Sequence, residues 1–557
     1  MKNFKKMAAA IAATLVAATL TAPMAMNAFA AANTITITGE NQKDNTTHKY
    51  TVYQIFSGTT EKSAFGGTER AELKEPRWAD PTKAQTILDA LKAEDTFKNA
   101  EGNNIFASCT TDAASVAKAL SGMNADQTKK FASMAVENAT TWGLAVAVAE
   151  TDTTPLTLSA DGYYVIAETT IDKKGTDPMS GTMTAYLLGV YDASEGADIA
   201  VKNGLPKFEK FIKDADDTAG TTSGWQKDAD HDYGDNVPFR LEATLPEDYA
   251  NYDTYKLVFH DALQDDVFTY DTDSAKIKLV PAGTAADAEG DGTAITPVTE
   301  TTCGVESTKG DDCDLEFTIN DVKTMFNTAK AGDKIVIEYT ATLTTKAVLG
   351  SAGNWNGAYL EYSNNPNNGG TGTSRTTEDT VVAFTYQTVI NKVDSEGNAL
   401  TGAKFKLEKK VNGVTENEGW VAIDQVETTP GSTFTFKGLD DGDYRLTETK
   451  EPSGYNKITD PIEFTVSATH GNKALTALEA IIPQAQRANF TGLTSDGSLT
   501  PDLTAGSLSG NVINTSGAEL PSTGGMGTTL FYVGGGCMVA VAGIFLITKK
   551  RMNKKED

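Results

Sequence analysis

Histidine, cysteine and basic residues are all scarce in this chain of 557 residues. Four His and four Cys leave little material for a His-ligated or Cys₄ metal site, so no metal and no cofactor are expected. Lys and Arg total 48 against 75 Asp and Glu, and the net charge of −27 excludes the basic face that a nucleic-acid-binding protein needs. Apolar residues make up 39% of the chain, which is enough for packed cores and excludes wholesale disorder.

The first 30 residues have the pattern of a secretory signal peptide. Lysines near the start precede a stretch rich in Ala, Leu and Val, and Ala28-Phe29-Ala30 gives a small-x-small cleavage pattern. The alternative interpretation is an N-terminal membrane anchor. Residues 1–30 are therefore left out of the fold prediction, and export is expected.

A second terminal signal occupies residues 517–557. Residues 529–548 form an uncharged apolar run that is long enough to cross a bilayer, so a transmembrane segment is predicted, and a tail rich in Lys and Arg follows it. The run is preceded by Leu520-Pro521-Ser522-Thr523-Gly524. The three parts in this order resemble the cell-wall sorting signal of Gram-positive surface proteins. The resemblance implies that sortase cleaves between Thr523 and Gly524 and transfers the Thr523 carboxyl group to an amine, with peptidoglycan as the final attachment.

Cysteine use fits an exported protein without a disulfide framework. Cys303 and Cys313 lie between turn-rich stretches, and a disulfide that closes a hairpin is predicted between them. Cys109 is left over and is interpreted as a buried small hydrophobe, with pairing to one of the other cysteines left open.

Between the two terminal signals the sequence predicts a mainly β fold of tandem immunoglobulin-like β-sandwich domains. In residues 31–203, alternating strand patterns enclose a helical interval, which predicts a sandwich with a helical insertion. Residues 204–386 contain short alternating runs separated by acidic turns, which is typical of an immunoglobulin-like sandwich. Residues 387–516 are again β throughout.

The segment Ala200-Val201-Lys202-Asn203 closes the first predicted domain. Together with the sorting signal it resembles the sortase-assembled backbone pilins, the major shaft subunits of Gram-positive fimbriae. In that family a Lys in a YPKN-like motif attacks the sortase acyl-enzyme of another subunit, because an accessible amine is the required nucleophile. Lys202 matches that Lys, although Ala200-Val201 replaces Tyr-Pro. Lys207 is the alternative, and an ordinary surface lysine is the simpler interpretation.

Lys210 alternates with apolar residues on a predicted strand and is therefore expected to point into the middle domain. Burial of an unpaired ammonium group is costly, so such a Lys has a lowered pKa and becomes nucleophilic. The pilin resemblance implies an intramolecular isopeptide bond from Lys210 to Asn356 on the last strand, with Asp261 as the catalytic acid. Asn354 is a possible substitute for Asn356. The competing interpretation is a Lys–Asp salt bridge.

Residues 391–394 and 444–455 resemble the first strand and the E-box of a collagen-binding-protein B-type domain. The resemblance implies a second isopeptide bond, with Lys392 as nucleophile, Asn514 as electrophile and Glu448 as proton shuttle. Glu448 shares one strand face with an apolar residue, so its carboxyl group can be buried. The alternative is a set of surface charges on an ordinary sandwich. The first domain has no Lys in its opening strand, and no such bond is expected there.

The resemblance implies a structural subunit of a covalently polymerised fimbrium at the cell wall that supports cell adhesion. Its implied partners are sortase, further copies of the same chain, minor or tip pilins and peptidoglycan, while the surface ligand is not indicated. The alternative is a monomeric wall-anchored adhesin. An enzyme is not expected, because the four His have neither triad nor zinc spacing and the chain has no Gly-rich phosphate loop.

Overall fold

A computed structural model gives the fold of most of the chain. The described residues are 34–38, 44–65, 68–152, 154–173, 179–192, 197–201, 204–284, 292–296, 298–299, 314–367, 369–423, 426–429, 431–517 and 544. The chain divides into two compact units: unit 1 comprises Met1–Ala215, Thr221–Thr385 and Thr469–Thr476, and unit 2 comprises Asp216–Gly220, Tyr386–Ala468 and Ala477–Asp557. The predicted boundary between residues 203 and 204 within unit 1 stays a prediction.

Several predicted features lie outside the described residues. They are the signal peptide, Lys202, the Cys303–Cys313 disulfide, the sorting motif Leu520 to Gly524 and all of the apolar run except Ile544. The structure therefore does not describe these features.

The predicted transmembrane segment needs correction. In the part of the chain that the structure describes, no helix is both long enough and apolar enough to cross a membrane. An apolar run meets only the hydropathy requirement, whereas a span also needs a continuous helix in which every backbone polar group is bonded internally.

The first part of unit 1 is a β-structure that carries three helices. Its strands are β1 (Thr34–Thr38), β2 (Thr46–Phe65), β3 (Thr68–Trp78), β4 (Ala145–Thr151), β5 (Leu156–Thr157), β6 (Gly162–Lys173), β7 (Leu187–Tyr191) and β8 (Ala197–Ala200). Its helices are α1 (Ala84–Ala93), α2 (Ala113–Leu120) and α3 (Ala125–Glu137), with 3₁₀ turns at Pro81–Lys83 and Asp95–Phe97. The sheets run β3-β2-β6-β7, with β4 also on β2, and β5-β1-β8.

The helices occupy the predicted helical interval and cover one face of the larger sheet. Apolar residues recur on one side of α1 and pack with Phe56 and Val165 of the sheet in a single core. A capping box starts α3: Asn124 Oδ1 accepts from the Gln127 backbone N–H at 2.9 Å, and Gln127 Oε1 accepts from the Asn124 N–H at 3.1 Å. The predicted helical insertion is confirmed.

The second part of unit 1 is a two-sheet sandwich. Its strands are β9 (Lys207–Ile212), β10 (Ala215–Asp216), β11 (Thr221–Thr222), β12 (Asp228–Asp230), β13 (Asn236–Thr244), β14 (Leu257–Leu263), β15 (Phe268–Tyr270), β16 (Lys276–Val280), β17 (Thr293–Ala294), β18 (Val298–Thr299), β19 (Leu315–Ile319), β20 (Lys334–Leu343), β21 (Asn354–Ser363), β22 (Thr373–Arg375) and β23 (Asp379–Phe384). Short helical elements are Tyr249–Asn251, α4 (Val322–Met325) and Gly350–Ala352. One sheet runs β12-β23-β21-β14-β19-β18 and the other β17-β16-β20-β13-β9.

The sandwich core lies between these two sheets. Phe239 and Leu241 of β13 pack against Phe259 of β14 and Leu360 of β21 in one buried cluster. Asn356 lies on β21 near the end of the sandwich, and β22 and β23 follow it. The apolar run from residue 380 to 384 forms a further core strand, which pairs with β21.

Unit 2 contains a second sandwich. Its strands are β24 (Tyr386–Val393), β25 (Lys404–Lys410), β26 (Trp420–Ile423), β27 (Val426–Thr429), β28 (Thr433–Leu439), β29 (Gly442–Lys450), most of β30 (Ile462–His470) and β31 (Leu475–Ile481), β32 (Phe490–Thr491), β33 (Thr500–Asp502) and β34 (Ser507–Ile513), with 3₁₀ turns at Glu416–Gly419 and Gln484–Asn489. The sheets run β27-β28-β24-β34-β32 and β26-β25-β29-β30-β31. The first strand, β24, and the last, β34, are parallel neighbours, with Lys392 opposite Val512.

Candidate cross-linking sites

The interior of the unit 1 sandwich holds a lysine, an aspartate and an asparagine from three strands. Lys210 lies on β9, Asp261 on β14 and Asn356 on β21, and all three residues are 0% exposed. Lys210 Nζ lies 2.5 Å from Asp261 Oδ2. The structure therefore brings together the three residues that the sequence predicted, although they are far apart in the chain.

Tyr339 on β20 joins these groups and was not predicted. Its hydroxyl donates to Asp261 Oδ2 at 2.8 Å. The Tyr339 hydroxyl oxygen in turn accepts from Asn356 Nδ2 at 2.8 Å and from Lys210 Nζ at 3.2 Å. A phenol has one donor and two acceptor sites, so this pattern uses its full capacity. Tyr339 thus fixes the amine, the acid and the amide relative to one another.

Burial changes the protonation of this pair. Loss of hydration lowers the pKa of Lys210, and the nearby Asp261 only partly opposes that shift. Loss of hydration likewise raises the pKa of Asp261, against the influence of Lys210 and Tyr339. Both directions favour the neutral forms, an amine with a free lone pair and a carboxylic acid with a proton to give.

Two buried oxygen atoms of this site are unsatisfied. Among the described residues, neither Asp261 Oδ1 nor Asn356 Oδ1 has a hydrogen-bond partner. The side chain of the alternative residue, Asn354, instead forms hydrogen bonds with backbone groups around it. It accepts from the Val348 N–H at 2.7 Å and donates to the Val348 and Ala383 carbonyls at 2.9 and 3.1 Å. The geometry favours Asn356 as the amide that is available for reaction.

The second set lies inside unit 2. Lys392 is on β24, Glu448 on β29, and Asn514 directly follows β34. Their exposed fractions are 0%, 2% and 1%. Asn514 Nδ2 donates to both Glu448 carboxylate oxygens, at 3.0 and 3.1 Å. Lys392 Nζ donates to the carbonyl of Val512 at 2.8 Å, next to the strand end that carries Asn514.

The electrostatics of this second set favour a reactive amine. Burial lowers the pKa of Lys392 to about 8, with Glu448 opposing the shift. The backbone N–H of Ile458 donates to Glu448 Oε2 at 2.8 Å and so holds the carboxyl group in place. Asn514 Oδ1 is buried and, within the described ranges, has no partner. Rotation of the amide would present this oxygen to the Glu448 carboxyl group, the contact through which an acid polarises an amide carbon.

A histidine cluster in unit 1 was also not predicted. His48 Nδ1 lies 2.5 Å from Glu168 Oε1, and His48 Nε2 lies 3.3 Å from Asp44 and 3.2 Å from Thr46 Oγ1. Burial alone would lower the pKa of His48, but hydrogen bonds and charge interactions with Asp44 and Glu168 raise it to about 10. An imidazolium that keeps its proton at neutral pH is an ion-pair partner rather than a general base.

Cys109 differs from its prediction. It is partly rather than fully buried, and its Sγ donates to the Ser115 carbonyl at 3.4 Å. It packs against the helical core as a partly buried residue.

Family comparisons agree with the two most specific sequence features. Residues 387–479 match the SpaA model, a prealbumin-like fold domain, and residues 513–554 match the LPXTG cell wall anchor motif. The trypsin-resistant surface T6 protein of Streptococcus pyogenes serotype M6 is 29% identical over 268 residues, which is 39% of this chain. The alignment covers 48% of that relative's length. The chain therefore carries a cell-wall anchor and is homologous to a streptococcal surface protein.

Solved major pilins have a similar architecture at low identity. The T6 backbone pilin of S. pyogenes superposes with a TM-score of 0.47 at 16% identity, covering 88% of this chain and 98% of that one. The full-length major pilin SpaD of Corynebacterium diphtheriae gives a TM-score of 0.40 at 15% identity, covering 87% and 98%. The strands of the described residues and the prealbumin-like match confirm the mainly β prediction, and the LPXTG match agrees with a location at the cell wall.

Proposed function

We propose that this chain is the structural backbone subunit of a covalently polymerised, wall-anchored pilus that supports adhesion. The anchor motif, the prealbumin-like domain and the similarity to the T6 protein support this proposal. The T6 protein is described as a backbone pilin with a modular three-domain structure. Under the proposal sortase joins Thr523 of one copy to Lys202 of the next. Three domains, residues 31–203, 204–386 and 387–516, form the shaft segment.

The observation that carries the proposal is the pair of buried Lys–acid–Asn sets. In unit 2, Nζ of neutral Lys392 attacks Cγ of Asn514 while the Glu448 carboxyl group supplies a proton to the amide oxygen. The Nζ–Cγ bond forms, the proton on the oxygen returns to Glu448 as the carbonyl re-forms, the Cγ–Nδ2 bond breaks, and a proton from Nζ leaves with Nδ2 as ammonia. Because β24 and β34 are the first and last strands of the unit, the new amide bond would carry tension between the chain ends.

The same chemistry is proposed for unit 1. Lys210 would attack Asn356, with Asp261 as the acid and Tyr339 holding the groups in place. Each reaction occurs once and within one molecule, so the chain would turn over no substrate. The partners of the assembled protein are then sortase, neighbouring copies, minor or tip pilins and peptidoglycan.

The polymer is tested on cells that express the full chain with its sortase. Wall extracts run on a denaturing gel should show a ladder of high-mass species, and Lys202→Ala should reduce it to a single band. Lys207→Ala is the matched control and should keep the ladder. A single band for the unsubstituted chain would overturn the pilin proposal in favour of a monomeric wall-anchored adhesin, and a ladder lost only in Lys207→Ala would move the acceptor to that lysine.

A further inference from the structure

A half-open cavity of about 250 Å³ lies beside the second cross-linking set, within unit 2. It is lined by residues 456–460, 488–489 and 513–515, and Asn514 is the most deeply buried of them, at 1% exposed, whereas Ala488 is exposed. Asn514 is otherwise buried between Glu448 and the strand end. The cavity therefore connects the amide that is expected to react with the outside of the sandwich.

The chemistry of the site requires such a path. Formation of the Lys392–Asn514 amide releases ammonia from Nδ2 in a place where all three reacting residues are at most 2% exposed. Ammonia that stays beside the new amide can attack it again and restore the starting groups. Escape of the ammonia therefore prevents the reverse reaction, and product release can limit the rate of a reaction in a buried site.

The lining of the cavity suits a small polar molecule. Asn456, Thr459, Asp460 and Asn489 contribute hydrogen-bonding side chains. A polar cavity of this size holds water, whereas apolar cavities stay dry. Water can carry ammonia outward by exchange of hydrogen-bond partners.

The lining segment 456–460 also holds the acid. The backbone N–H of Ile458 donates to Glu448 Oε2 at 2.8 Å, and the Asn456 N–H donates to the Thr515 carbonyl at 3.0 Å. Tyr455 forms an isolated bridge with Ser516. The segment from residue 455 to 458 therefore contacts both the proton shuttle and the residues that directly follow Asn514.

We infer that this cavity is the exit path for the ammonia released when Lys392 and Asn514 are joined. The inference rests on the cross-link proposed above. The escaping molecule passes from Asn514 along the segment 456–460 and leaves past Ala488. Filling the outer end of the path should slow formation of the bond and leave the fold intact.

The test uses residues 31–523, made in a short pulse of cell-free synthesis and sampled for intact mass over time. The variants Ala488→Val, Ala488→Leu and Ala488→Phe place increasingly large side chains at the outer end of the cavity. The Ala485→Phe variant is the matched control, because Ala485 is exposed on the same 3₁₀ turn and does not line the cavity. Loss of ammonia at Lys210–Asn356 serves as an internal reference in every sample, and tryptic peptides separate the two bonds.

Bond formation in unit 2 should slow severalfold across the Val, Leu and Phe series, while Ala485→Phe keeps the unsubstituted rate. Equal rates across the series, or equal slowing in the control, would overturn the exit path. Should Ala488→Phe fail to fold by circular dichroism, the Val and Leu variants decide the outcome. A chain that never loses ammonia at Lys392–Asn514 contradicts the cross-link itself, so the two failures are distinguishable.

Discussion

A lysine side chain normally remains a hydrated cation, and a β-strand that carries it into a sandwich core removes that hydration. Lys210 and Lys392 are both 0% exposed, and burial lowers the pKa of both. A neutral amine beside a carboxamide and an acid is a nucleophile beside its electrophile. At the scale of single residues, therefore, reactivity follows from placement alone.

Tyr339 is the residue whose role is most open to a direct test. We expect Tyr339→Phe to slow the Lys210–Asn356 reaction about tenfold, because it removes the hydroxyl that bonds the amine, the acid and the amide. The rate is read from the loss of ammonia at that site after a pulse of synthesis. Tyr255→Phe is the matched control, since Tyr255 is buried in the same core. Equal rates in both variants would remove Tyr339 from the reaction.

The pH dependence of the second site follows from the Lys392 amine. Its pKa of about 8 lies below the usual value of 10.5, so the reactive neutral form grows as pH rises toward 8 and then saturates. We expect the initial rate of ammonia loss at Lys392–Asn514 to rise between about pH 6 and about pH 8 and to level above. A rate that is flat over this interval, or still rising steeply above about pH 9, would contradict the assignment of Lys392 as the nucleophile.

At the scale of elements, β24 and β34 are parallel neighbours, so the proposed Lys392–Asn514 bond would link the first and last strands of unit 2. The covalent bond would join the two ends of unit 2 across more than a hundred residues. By analogy with a disulfide that closes a loop of this length, the lost entropy of the unfolded chain stabilises the fold by about 4–5 kcal/mol.

We accordingly expect Lys392→Ala to lower the free energy of unfolding of unit 2 by about 4–5 kcal/mol and to make unit 2 more readily cut by trypsin. Glu448→Gln keeps the lysine but removes the proton shuttle, so it should leave the bond unformed with a similar loss. Denaturant unfolding followed by intact mass checks both variants. Unchanged stability in a chain shown to lack the bond would contradict the mechanical role.

His48 connects three segments of unit 1. It contacts Glu168 of β6 from its place on β2, and Glu168 Oε2 also accepts from the Thr184 N–H at 2.5 Å. The pKa of His48 is about 10 in the folded protein against the ordinary value of 6.5, so its ion pairs stabilise the fold fully below about pH 6.5. That stabilisation is lost as pH rises from 6.5 toward 10.

The corresponding experiment compares the original chain with His48→Gln over a range of pH. The difference in free energy of unfolding should be constant below about pH 6.5 and should shrink steadily toward about pH 10. Lys49→Gln, one residue away on the outer side of β2, is the control and should show no such trend between about pH 6 and about pH 9. A difference that grows with pH would contradict a protonated His48.

Alternation is a local signal and located the strands and the inward position of Lys210, whereas the family resemblance supplied the other members of both Lys–acid–Asn sets. Tyr339, the His48 cluster and the cavity beside Asn514 have no local signal, since each depends on strands that meet only in the folded sheet. The resemblance gave Asn356 as a partner for Lys210, whereas the pairing of β21 with β14 and β23 is a property of the sheet. For the predicted transmembrane segment, the finding is that no helix among the described residues is long and apolar enough to cross a membrane.

At the scale of the whole molecule, the proposed covalent bonds would replace general adhesion between copies. A chain with a net charge of −27 repels its neighbours, so a stable fibre requires a directed bond between defined groups. The intramolecular amides would then keep each sandwich folded while the fibre is under tension. Both kinds of bond use the same chemistry, a lysine amine that becomes an amide.

Intact mass of residues 31–523, measured after reduction, shows whether lysine amines become amides within this molecule. We expect a mass lower than that of the sequence by two molecules of ammonia. Lys210→Ala and Lys392→Ala should each restore one of them, and tryptic digestion should yield the branched peptides Lys210–Asn356 and Lys392–Asn514. A measured mass equal to that of the sequence, with both lysine side chains free, would refute the cross-links and the proposal that depends on them.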